Sequence, residues 1–154
     1  MPSDRELALK WWNDAWTEGV WAASWSKSLD GLTPEQAAWQ PPNAPGIPGK
    51  RHSIWQEVLH MIFWREGWLR RAATGQKLTK EETAAGSFPE VAEVSGAAWD
   101  KVRKHFEDTQ ARMARALDDP ANEGHPLKYF VVHDCYHFGQ INMMRAMLGF
   151  PPIE

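Results

Sequence analysis

Apolar residues recur every three or four positions along most of this chain. That is the period of an α-helix, and no stretch shows the alternation of a strand. The last such stretch, residues 125–149, places Pro126, Phe130, His133, His137, Gln140, Ile141, Met144 and Leu148 on one stripe. Pro126 suits a first helical turn, where its missing N–H is no loss, and Gly149 followed by Pro151 and Pro152 marks the stop. Upstream, Ser3-Asp4-Arg5-Glu6 reads as a capping box opening a helix to about Leu29, with Trp12, Ala15, Trp16, Val20, Ala22 and Ala23 facing inward and Gly31 at its end. A second capping box, Thr33 to Gln36, starts a short helix through Trp39. The segment QPPNAPGIPGKR, with four prolines and two glycines, is a loop. Ser53 to Gln56 is a third box, opening a helix to about Ala73 that Gly75 ends. Residues 76–94 are polar and irregular, with Thr79 to Glu82 able to cap a turn. A further helix runs from about Ser95 to Leu117 on Trp99, Val102, Phe106 and Met113.

Four long amphipathic helices without a strand or a repeat predict an all-α four-helix bundle, with a long connection after the first helix. At 154 residues the chain is read as one domain, 1–154. Nothing in it approaches the roughly 20 apolar residues of a spanning helix, and MPSDRELALK is no signal peptide. The expected setting is the cytoplasm, which the single cysteine, Cys135, also fits. The net charge of −3 is spread without a basic block, which argues against nucleic acid as a partner. Ten tryptophans, interleaved with alanine at helical spacing, are mostly core or interface material.

The polar exceptions on the last stripe carry the chemistry. His133 and His137 are four residues apart, roughly 40° around the axis, so both imidazoles point inward with the core. Two buried rings side by side need partners, and neutral imidazole is a common ligand of divalent first-row metals. A third ligand must come from elsewhere. His105 lies off its helix's apolar stripe and faces water, His125 sits at a helix entrance in a capping position, and His52 precedes a cap at one end of the bundle. His60, flanked by Val58, Leu59, Met61 and Ile62, can meet the pair across the bundle.

HSIWQEVLHMIFW resembles the second-helix motif of the DinB/YfiT-like superfamily, and HDCYHFGQINMMRAML resembles its last-helix motif, a histidine pair followed by Gly139-Gln140. LTPEQAAWQP, between the first two long helices, is also similar to that family. The resemblance covers nearly the whole chain, with residues 76–94 least distinctive. It implies a four-helix bundle holding a divalent metal through His60, His133 and His137, in proteins that are often homodimers. Among the activities it implies are transferases using a small thiol such as bacillithiol, and a thiol-dependent isomerase. The expected ion is zinc or nickel, with iron or manganese also compatible.

Three neutral histidines leave coordination positions open, the pattern of catalytic rather than structural zinc. The leading expectation is a metal-dependent thiol transferase acting on a small electrophile. Metal-assisted hydrolysis is the second, and a non-catalytic metal- or ligand-binding dimer joined through tryptophan-rich faces is the third. The bland alternative is three core histidines satisfied by backbone and water. Gln140, one turn past His137, is a candidate to orient a water or a ring; Glu57 is a fourth ligand, a general base, or simply a surface salt bridge; Tyr129 is a candidate donor to a substrate oxygen. Trp64, one turn beyond His60, walls a pocket or fills core. Cys135 and Asp134 point roughly 200° and 100° away from His133, so neither is expected as a ligand, and Asp134 is expected in a surface pair.

Overall fold

The computed structural model describes residues 1–153. Among these, seven α-helices form and no strand: α1 (Asp4–Thr17), α2 (Trp25–Leu29), α3 (Pro34–Ala38), α4 (Ile54–Thr74), α5 (Lys80–Gly86), α6 (Gly96–Asp118) and α7 (Phe130–Met147). Capping boxes at Ser3, Thr33, Ser53 and Thr79 open α1, α3, α4 and α5. In each, the cap hydroxyl accepts from the third helical N–H, and the side chain there accepts from the cap N–H. The box at Thr79 turns part of the irregular 76–94 segment into a two-turn helix. A 3-10 turn, Pro126–Tyr129, precedes α7.

α4 packs against α6 and α7, and α1 packs against the same two helices. The four long helices therefore form a bundle with α1 and α4 at opposite corners. This placement explains the long connection after α1: residues 18–53 cross from one corner to the other. No described helix is long and apolar enough to cross a membrane.

The first helix departs from expectation. It stops at Thr17, where the N–H groups of Glu18 and Gly19 both donate to the Asp14 carbonyl at 2.8 and 2.7 Å. Gly19 (φ +85°) and Trp21 (φ +58°) then reverse the chain, leaving Ala22 exposed. The reversal returns Trp25 edge-on to Trp12, ring centroids 5.1 Å apart, and flat against Phe138 at 5.2 Å. These aromatic contacts take the place of the missing helical turns. A Cβ at Gly19 would run into the Ala22 carbonyl oxygen, at a φ that L side chains rarely adopt. Gly19→Ala is expected to lower stability by about 2 kcal/mol or more, read from a denaturant midpoint.

Trp12, Trp25, Trp55 and Trp99 are buried, whereas Trp11 and Trp21 stand exposed. Against Trp12 and Phe106 lies the charged side chain of Arg65, which projects from α4, is fully buried and donates to the Phe106 carbonyl and to Thr109 Oγ1 of α6.

Candidate metal centre

The cap at Ser53 fixes the phase of α4, so that Glu57 and His60, three residues apart, both turn into the bundle. Opposite them α7 presents His133 and His137 one turn apart. Ring centroids are 4.4 Å apart for His60 and His137, 4.5 Å for His133 and His137, and 5.5 Å for His60 and His133. One nitrogen from each ring lies within 4.8 Å of the other two. A tetrahedral ion with bonds of about 2 Å keeps its ligands about 3.4 Å apart, so the nitrogens need to close by no more than about 1.4 Å.

The other nitrogen of each ring is taken. Nδ1 of His137 lies 2.6 Å from Oε2 of Glu57, Nδ1 of His133 lies 2.7 Å from Oδ1 of Asp134, and Nδ1 of His60 lies 2.8 Å from the Ser87 carbonyl oxygen. Carboxylates and carbonyls only accept, so each Nδ1 carries the proton and donates it. Each Nε2 is left as a lone pair for the cluster, the arrangement metal-bound histidines adopt. Burial, reinforced by the neighbouring His137, pushes the His60 pKa down from 6.5 to about 4, which keeps this ring neutral and able to donate its lone pair. The donor set fits a divalent ion of the zinc type.

That depressed pKa sets a pH dependence. Unfolded, the ring takes up a proton near pH 6.5; folded, it refuses one until about pH 4. The metal-free protein therefore keeps the full contribution above pH 6.5 and loses stability as the pH falls from there towards 4. Urea midpoints across this window are expected to decline less steeply in His60→Gln than in the parent chain. Parallel declines would remove this ring as the cause.

Glu57 is not on the surface: it is 1% exposed and its carboxylate serves His137. Asp134 corrects the expectation more sharply. It is fully buried, with Oδ1 on His133 and Oδ2 accepting from Arg65 Nε at 2.8 Å, while Nη2 of the same guanidinium forms an ion pair with Oδ2 at 2.7 Å. The guanidinium also lies 4.0 Å from the Phe106 ring centroid and 4.8 Å from that of Trp12, and donates to Thr109 Oγ1. His105 pairs with Glu66 at the surface, and His125 accepts from the Leu127 N–H as a cap.

The cluster lines a cleft of about 800 Å³ walled by Trp64, Trp68, Phe88, Phe130 and Tyr136. Tyr129 stands exposed at its edge, and Gln140 lines it half-buried. Phe88 stacks on His60 and on His52, at 4.0 and 3.7 Å between centroids. Ser87 and Phe88, both from the segment with the least sequence signal, thus complete the site. His52, expected at one end of the bundle, brings its Nδ1 within 3.9 Å of Oε1 of Glu57. Cys135 is exposed and outside the cluster.

A family model described as the DinB superfamily matches residues 17–141, a span that includes all three histidines. No curated protein and no solved structure matches the chain.

Proposed function

The chain belongs to the DinB superfamily, and from that premise we propose that it is a divalent-metal-dependent enzyme transferring a low-molecular-weight thiol to a small electrophile. The observation that carries this reading is the convergence of three imidazoles, each with Nδ1 engaged, beside a roomy aromatic cleft. In this reading His60, His133 and His137 hold the ion, zinc or nickel ahead of iron or manganese. The ion, when bound, supplies a Lewis acid with open positions that keeps a thiol deprotonated near neutral pH.

The rest is done by the chain. Glu57 and Asp134 lock two rings in the donating tautomer and orientation, acting on histidines rather than on substrate. Trp64, Trp68 and Phe88 exclude water and take the apolar body of the electrophile. Tyr129 can donate its O–H to a substrate oxygen, and Gln140 can orient whatever lies between cleft and cluster. The thiol's proton passes to solvent, its sulfur bonds to the electrophilic carbon, and the leaving group departs with the electrons of the broken bond. We place this chemistry in the cytoplasm, where small thiols stay reduced, and in a homodimer to which exposed Trp11 and Trp21 offer apolar surface.

Metal-assisted hydrolysis uses the same open positions with water as nucleophile. A purely structural site is less favoured, because Glu57 spends its oxygen on His137 instead of joining the cluster. The test is a chain purified free of metal, reloaded with Zn²⁺ or Ni²⁺, and given small thiols with electrophilic acceptors. Thiol is expected to disappear only with the loaded parent chain, at background rate with His133→Ala. Equal rates would end the proposal, and product release without thiol consumption would select the hydrolase.

A further inference from the structure

A second cleft, of about 850 Å³, lies against the first, with His52, Tyr136 and Gln140 lining both. Its chemistry is different. Where the first is aromatic, this one is lined from α7 by Met143, Met144 and Met147, and on the facing side by the loop that carries Lys50 and Arg51. Neither cation forms an ion pair with a described residue. The nearest acid in the lining, Glu57, is buried and committed to His137.

Nor is the loop a loose tail. Pro42 and Lys50 form an antiparallel bridge, the Arg51 N–H donates to the Pro41 carbonyl at 3.2 Å, and the Asn43 side chain donates to the Pro48 carbonyl at 2.9 Å. Two adjacent positive charges are thus held at the edge of a methionine-lined cleft, in a chain whose net charge is −3. Flexible thioether side chains adapt to ligand groups of varied shape.

We propose that this second cleft binds the anionic member of the substrate pair, a small organic carboxylate. Its charged end lies at Lys50 and Arg51, and its body runs along the methionines towards Gln140 and the histidine cluster. This assignment rests on the two-substrate reading above and adds to it: the apolar electrophile takes the aromatic cleft, and the acidic thiol enters from the basic one. Specificity for the thiol then sits in the connection between α3 and α4, away from the metal ligands.

Cys135, the only cysteine, lines this cleft and is exposed, so it reports on the local field without added labels. Alkylation rates at Cys135 are compared for iodoacetate, an anion, and iodoacetamide, its neutral counterpart. Each forms an S–C bond as iodide leaves, and the thiolate fraction cancels in the ratio. Two cations lining the same cleft are expected to raise the iodoacetate-to-iodoacetamide ratio severalfold over that of N-acetylcysteinamide, a thiol that carries no charge of its own. In the double variant Lys50→Glu, Arg51→Glu the ratio is expected to fall below the free-thiol value. S-methylglutathione, a dicarboxylate with no free thiol, is expected to slow alkylation saturably in the parent chain but not in the double variant. A ratio equal to the free thiol, a ratio unchanged by the double variant, or absence of protection would each overturn the proposal. The readout needs neither metal nor turnover, so its failure leaves the metal-centre reading standing, and the reverse also holds.

Discussion

Replacing His137 by alanine is expected to abolish stoichiometric metal binding and to destabilise the chain even without metal. Losing an outer-sphere partner typically weakens metal affinity by about 10- to 100-fold, so losing a ligand itself should exceed the upper figure. The second effect comes from Glu57. Its carboxylate is 1% exposed, and the His137 Nδ1–H, 2.6 Å away, is its one close donor among the described side chains. Alanine leaves a buried charge without that donor, a loss of about 1–3 kcal/mol. His133→Ala is the informative comparison. Its ring is 31% exposed, and Asp134 keeps Arg65 as a partner when the imidazole goes. That variant should lose the ion and retain most of the metal-free stability. Elemental analysis after dialysis against a chelator reads the first effect, and thermal unfolding without metal reads the second. Zinc is expected to raise the melting temperature of the parent chain, as a ligand of the folded state does, and to leave both variants unmoved. Full zinc stoichiometry in His137→Ala would place the ion elsewhere.

The elements of the bundle were legible because their signals are local. Ser3, Thr33 and Ser53 cap in the structure as their sequence neighbours predict, and His133 and His137 share a face through helical spacing alone. What failed was what depends on distant partners. An aspartate or glutamate on a helix is solvated by default, and only the helix packed against it says otherwise. Asp134 is buried because Arg65, 69 residues away, meets it, and Glu57 because His137, 80 residues away, does. The end of α1 was missed for a related reason. Gly19 permits a reversal without requiring one, and Trp21 in a left-handed conformation has no sequence signature at all. Ser87 and Phe88 lie just past the end of α5, and their contacts with His60 follow from how that helix lies across α4 rather than from any pattern in residues 76–94.

Arg65 and Asp134 should respond to substitution with opposite signs at the metal and the same sign in stability. Both are fully buried, and removing either leaves the other as an uncompensated interior charge, a loss of about 3–5 kcal/mol. Arg65→Met keeps the packing between Trp12 and Phe106 but strands a carboxylate beside His133. A cation held at the histidines then supplies the positive charge that the guanidinium no longer provides. Zinc should therefore raise the melting temperature of this variant by more than it raises that of the parent chain. Asp134→Asn strands the guanidinium instead, close to where a dication would sit, and replaces an obligate acceptor on His133 Nδ1 with an amide that can present either end. Zinc affinity should fall by about 10- to 100-fold, and zinc should rescue stability less than in the parent. The double variant Arg65→Met, Asp134→Asn removes both charges. It should recover part of the lost stability while keeping the weaker binding that follows from an untethered imidazole. Titration of Co²⁺ or Zn²⁺ into the four chains, with unfolding midpoints measured with and without ion, separates the two effects. If Arg65→Met and Asp134→Asn shifted zinc affinity in the same direction by the same amount, the pair would be a packing device with no electrostatic hold on His133.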